Sequence, residues 1–196
     1  MAKIQVISDK YQDLFNRMVF DPKRHDEAIT VARRILKGKD SYVRINEKLQ
    51  AKIPWYFIGI IHYMECDCNF GKHLHNGDSL TKRTWQVPAG RPIADPWNGK
   101  GKPYTFIESA MDALKLKGFH VQTSWTLNLS LYRLEKYNGF GYIRKGIYTP
   151  YLWAGTNHYS KGKFTRDGYF DPKVVSQQIG AAPLIRLLTD KTLDVV

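Results

Sequence analysis

Cysteine is scarce in this chain, with two among 196 residues, Cys66 and Cys68, and a single residue lies between them. So close a pair is poorly placed to bridge itself, and no disulfide framework is expected. No apolar run reaches membrane-spanning length. The opening Met1-Ala2-Lys3-Ile4-Gln5-Val6 lacks the charged, apolar and cleavage regions of a signal peptide. A chain made in a reducing cytoplasm, without a membrane span, is the expectation. Acidic residues are the minority: 18 Asp plus Glu against 30 Lys plus Arg leave a formal charge of +12. Such a surface is drawn to polyanions. The basic residues are spread along the chain, however, and no helix-turn-helix, finger or single-strand module can be named, so nucleic acid is not the expected partner.

What is present reads as mainly helical, in one domain over 1–196, long enough to bury a core without staples. Amphipathic spacing predicts helices over 11–19, 27–36 and 41–49, a lead-in of about fifty residues ahead of a core over 51–190. Ile53, Phe57, Ile60, Ile61 and Met64 recur at helical spacing, with Pro54 suited to a first turn. Thr105 with Glu108 forms a capping box for a helix through Leu116, stopped at Gly118. Further helices are expected over 124–136, 174–179 and 182–188. Residues 86–104 carry four prolines and three glycines and read as a long loop.

Glu65 ends the apolar helix. There the negative end of the helix dipole and apolar neighbours both favour a protonated carboxyl, as a proton donor requires. Asn76-Gly77 is a strong hairpin signal, so a small antiparallel element over 74–84 is expected, with a better solvated, ionised Asp78 leaving its turn. Two carboxyls in different surroundings can divide the roles of acid and base. Each residue also has a plainer account. Glu65 would be a solvated helix end, Asp78 simple turn chemistry and Thr84 an ordinary strand residue.

The order Glu65, Asp78, Thr84 resembles the lysozyme superfamily, in particular phage endolysins. In phage-type lysozymes a helix-terminal Glu is followed by an Asp in a small sheet and a Thr six residues later. The Asp-to-Thr spacing matches here, whereas twelve residues between Glu65 and Asp78 make a longer turn. The wider string His62-Tyr63-Met64-Glu65, Phe70, His73-Leu74-His75-Asn76-Gly77-Asp78 and Val87-Pro88-Ala89-Gly90-Arg91-Pro92 looks like a lysozyme-like branch. Tyr137-Asn138-Gly139-Phe140-Gly141-Tyr142 is similar to the segment lining the glycan groove of lytic transglycosylases.

The resemblance covers roughly residues 50–170. It implies a mainly α (α+β), lysozyme-like domain with a small β-hairpin beside its cleft. It also implies an endolysin-type muramidase that hydrolyses the β-1,4 bonds of peptidoglycan glycan strands; the resemblance leaves the oligomeric state open, with a monomer the expectation. Glu65 would be the acid, and Asp78 with Thr84 would position and activate water. No cofactor is called for, and the anionic bacterial envelope suits the basic surface. Lacking a signal peptide, the enzyme would reach the wall only after release from the producing cell. His73, His75, Arg91, Trp97, Tyr137, Asn138 and Tyr142 would border the substrate. Trp97 could equally be a packing anchor, and Tyr137 and Tyr142 core aromatics.

Three alternatives stand beside this reading. A lytic transglycosylase would use Glu65 alone. A zinc amidase would draw ligands from Cys66, Cys68, His73 and His75, although the one-residue spacings depart from the usual structural-zinc pattern, so no metal is expected. A non-catalytic wall or nucleic-acid binder would release no fragments.

Overall fold

The computed structural model describes residues 10–93, 103–166 and 168–190. About half of the chain is helical, with one small two-stranded antiparallel sheet among the described residues. The helices are α1 (10–16), α2 (His25–Lys37), α3 (Lys39–Leu49), α4 (Trp55–Cys66), α5 (Phe106–Leu116), α6 (Leu127–Asn138), α7 (Pro150–Trp153) and α8 (Ala181–Thr189). The strands are β1 (Lys163–Arg166) and β2 (Tyr169–Asp171). No described helix is long and apolar enough to cross a membrane. The chain divides into two compact units, one of residues 34–125 and one formed by the segments before and after it.

The 34–125 unit is built on α4. Every residue from Phe57 to Met64 is buried, so this helix has no solvated face, and each fully buried Ile or Phe contributes roughly 1.5–3 kcal/mol. Pro54 stands at its N-cap, where a missing N–H costs nothing. Gly59 lets helices approach closely: a Cβ there would sit 2.5 Å from Ile35 and 2.8 Å from Tyr42. The expected capping box is formed in full, with Thr105 Oγ1 accepting from the Glu108 N–H and the Glu108 carboxylate accepting from the Thr105 N–H. Beyond α5, Gly118 takes a φ of +68°. The rings of Phe119 and Trp125 then meet Phe57 edge-on, at 5.1 and 4.7 Å.

In the other unit, α6, α7 and α8 pack together. Arg186 of α8 donates to the carbonyls of Phe15 and Met18 and lies over the Phe15 ring. Strand pairing runs Lys163 to Asp171, Phe164 to Phe170 and Arg166 to Tyr169, with an irregularity between Phe164 and Arg166.

Two local expectations are corrected. Residues 174–179 are not helical. Their backbone acceptors are taken from outside: Arg24 donates to the carbonyls of Ser176 and Gln177, and the Gly162 N–H to that of Val174. Nor do residues 74–84 form a hairpin ladder. The chain makes one isolated bridge, Lys72 to Ser79, and the two-stranded sheet lies at 163–171 instead. Short polar side chains around 76–86 satisfy the backbone in place of a second strand, as the site itself makes plain.

Candidate functional site

The candidate site is assembled on the C-terminal end of α4. The helix stops because Asp67 and Cys68 both adopt positive φ, 52° and 58°, returning their N–H groups to the His62 and Tyr63 carbonyls. Glu65, half-buried, therefore occupies the last helical turn. The chain turns back through the Lys72 to Ser79 bridge, with His73 N–H donating to the Asp78 carbonyl at 2.7 Å and Gly77 N–H to that of His73 at 2.9 Å.

Gly77 seats this turn on the helix. Its φ is +78°, and a Cβ at this position would come within 2.8 Å of the Glu65 carbonyl oxygen. Only glycine meets both demands. The two carboxylate-bearing segments, thirteen positions apart, are thus in direct backbone contact.

Asp78 is not the solvated residue expected: it is 2% exposed and accepts four hydrogen bonds, so protein donors take the place of water. Its Oδ2 receives the backbone N–H of Trp85 and of Gln86 and the side-chain amide of Asn76, at 2.9, 3.0 and 3.0 Å; its Oδ1 receives the Gln86 amide at 2.7 Å. Burial by itself would raise the pKa of this carboxyl, but the donors outweigh it and hold Asp78 below the usual carboxylate range. It is a fixed negative charge, with acceptor capacity left on Oδ1. Its anchoring also draws in the next loop, from which the Trp85 ring stands out into solvent.

Thr84 is the knot of that loop. Its hydroxyl donates to the Pro88 carbonyl and accepts from the Arg91 N–H, while its own N–H donates to the Arg91 carbonyl.

His73 and His75 are buried against α5, where Ser109 and Asp112 share one face at i, i+3 spacing. His73 Nε2 contacts the Lys82 carbonyl at 2.9 Å, so that nitrogen carries the proton, and Nδ1 accepts from the Ser109 hydroxyl at 2.9 Å. His75 Nε2 donates to Asp112 Oδ2 at 2.8 Å. Arg91 completes the group with a two-pronged pair to Asp112, Nε at 2.8 Å and Nη2 at 3.0 Å. Burial lowers the pKa of both imidazoles, in His75 against the pull of Asp112, so both favour the neutral form. Spacing alone did not single out Ser109 or Asp112, nor Asn76 and Gln86. The one available signal was the shared α5 face of Ser109 and Asp112.

Among the described residues no three His, Cys, Asp or Glu side chains converge so as to hold a metal ion. His73 has both ring nitrogens committed, and His75 its Nε2, as above. The thiols sit in surroundings hostile to thiolate: burial, reinforced by the Glu65 charge, pushes Cys66 up to about 12, and burial pushes Cys68 up to about 11.

Glu65, His73, His75, Asp78, Thr84 and Arg91 thus share one unit, while Tyr137, Asn138 and Tyr142 belong to the other. Tyr142 is a buried aromatic whose hydroxyl accepts from the Phe164 N–H, with the Phe164 ring edge-on at 5.0 Å. Asn138 is exposed at the end of α6, and its amide reaches Thr149 Oγ1 at 3.4 Å. Tyr137 is half-buried in the last turn of α6. Trp97 lies outside the described residues. No protein-family model matches the chain, and no curated protein or solved structure is detectably similar to it.

Proposed function

We propose that the end of α4 and the 76–91 segment form the cleavage site of an endolysin-type lysozyme, a muramidase with a lysozyme-like fold acting on the β-1,4 bonds of bacterial peptidoglycan. The observation that carries this reading is the seating of the Asn76-Gly77-Asp78 turn on the Glu65 carbonyl. It pairs a carboxyl at the end of an apolar helix with a carboxylate held ionised by four donors. Glu65 protonates the leaving glycosidic oxygen. Asp78 Oδ1, which accepts one hydrogen bond, is the seat for the attacking water, and such a direct displacement inverts the anomeric centre. Thr84 acts through the loop it ties, keeping the Trp85 and Gln86 N–H groups on Asp78. Trp85 offers a ring face for a sugar, while His73 and His75, expected to border the glycan, are buried against α5 and with Arg91 on Asp112 support the loop from behind. The enzyme works without a cofactor and reaches the wall after release from the cell that makes it.

A second reading has its own support. Asp78 is already heavily hydrogen-bonded, and a carboxylate stabilised in this way is a weak base. In a lytic transglycosylase Glu65 acts alone and the sugar's own hydroxyl attacks.

Mass spectrometry of digested peptidoglycan separates these outcomes. Ordinary reducing ends are expected from the wild-type protein and none from a folded Glu65→Gln variant. Anhydro ends would replace hydrolysis with transglycosylation, and freed peptides would favour an amidase. Most of the activity surviving in the Gln variant would overturn the assignment of the acid.

A further inference from the structure

A cavity of about 570 Å³ lies within the unit formed by the two ends of the chain. Its walls are mostly apolar and aromatic, with Tyr11, Tyr132, Tyr148 and Trp153 among them. One carboxyl, Glu135 of α6, enters this lining. It is 6% exposed and accepts a single hydrogen bond, from the Tyr11 hydroxyl to Oε2. No described cation lies within ion-pair distance of it. Glu135 is thus half satisfied, with acceptor capacity on Oε1, and the Lys10 charge acts on it only from beyond ion-pair distance. A buried carboxyl in that state gains when a cation arrives with its own donors.

The chain itself shows which cation the cavity accepts. The Lys10 ammonium, on its four-carbon stem, lies over the Tyr148 ring, 5.4 Å from the centroid. Aromatic faces attract an ammonium through the ring quadrupole, and apolar walls accept the stem. Lys10 stops short of the carboxylate, so it samples the aromatic half of the site and leaves the anionic half open.

We propose that this cavity is a binding site for a primary alkylammonium group, which pairs with Glu135 and rests on the Tyr148 face in competition with Lys10. The ligand class is an amine on a short apolar stem, such as an amino-acid side chain or a diamine. The glycan-cleaving assignment plays no part in this inference, because every residue it uses lies outside the 34–125 unit.

The test is calorimetric titration of the full-length protein with n-butylammonium, using n-butanol as the uncharged counterpart. Butylammonium is expected to bind saturably and butanol at least about tenfold more weakly, since the alcohol brings no charge to the carboxylate. Lys10→Met removes the internal competitor and should tighten butylammonium binding several-fold. Glu135→Gln should weaken it by about tenfold or more; the substituted amide oxygen can still accept from Tyr11, so the packing is retained. Should that variant melt early, Tyr148→Leu supplies a second route: Tyr148 is 39% exposed, and losing its ring should weaken butylammonium by about fivefold without shifting thermal unfolding. Equal binding of the alcohol and the amine would overturn the proposal and leave an apolar cavity only. So would indifference to both Glu135→Gln and Tyr148→Leu, weakening by Lys10→Met, or absence of saturable binding in both wild type and Lys10→Met.

Discussion

Asp78 and Glu135 are both buried carboxyls, one in each unit, and their surroundings drive them in opposite directions. Burial pushes both towards the protonated form. Asp78 collects four donors, two of them backbone N–H groups, and ends below its ordinary value. Glu135 collects one, from Tyr11, and ends above its own. The count of donors decides the direction in which each buried carboxyl moves from its ordinary value. The unit around Asp78 has used its polar groups to build a rigid loop. The cavity around Glu135 has left one oxygen uncommitted.

The strongest test of this contrast is a matched pair of isosteric substitutions. Asp78→Asn turns an amide N–H₂ towards donors that need an acceptor, and should cost about 3 kcal/mol of stability by urea denaturation. Glu135→Gln keeps the Tyr11 bond and should stay within about 1 kcal/mol of wild type. Equal losses would dissolve the contrast.

A smaller effect is expected from Gly77→Ala. Placing a Cβ at a φ of +78° and within 2.8 Å of the Glu65 carbonyl should cost about 2 kcal/mol and reduce wall lysis by displacing the turn from the helix end. An alanine variant with wild-type melting and lysis would show that the seating is dispensable.

The smallest effects are in the pH dependence of stability. Asp78 has a folded pKa below its ordinary 3.8, so its contribution is present above pH 3.8 and is lost as pH falls below that towards the folded value. Glu135 has a folded pKa above 4.5; its contribution is present below pH 4.5 and is lost as pH rises through the folded value. Urea midpoints of Asp78→Asn should therefore lose the steepest acid limb, and those of Glu135→Gln the decline above pH 4.5. His62 adds a background common to both variants. Burial pulls it down from 6.5 to about 4, so stability falls as pH drops across that interval, where the unfolded chain takes up a proton and the folded one resists. An unchanged slope above pH 4.5 in Glu135→Gln would count against an uncommitted Glu135.

Much of the helical framework was legible in advance because its signals are local. The apolar spacing from Ile53 to Met64 marked α4, and the Thr105 and Glu108 pair marked the start of α5 through hydrogen bonds spanning three residues. Residues 174–179 misled for the opposite reason: their acceptors are claimed by Arg24, some 150 positions away, and by Gly162. The hairpin over 74–84 was half legible. Asn76-Gly77 does turn the chain, but Asp78 and Thr84 satisfy the backbone that a second strand would have served.

At the candidate site the sequence alone singled out Glu65 at a helix end and Asp78 beside a glycine turn, since residue type and short-range spacing carry that information. It also determined the basic surface and the predominance of helix. Tertiary structure decided that Gly77 rests on the Glu65 carbonyl, that His75 and Arg91 share Asp112, and that Asp78 gathers four donors while Glu135 gathers one. Those outcomes depend on which distant groups are brought within hydrogen-bonding distance. Charge state follows from that encounter, because a buried carboxyl has the same intrinsic chemistry wherever it lies and differs only in the donors that reach it.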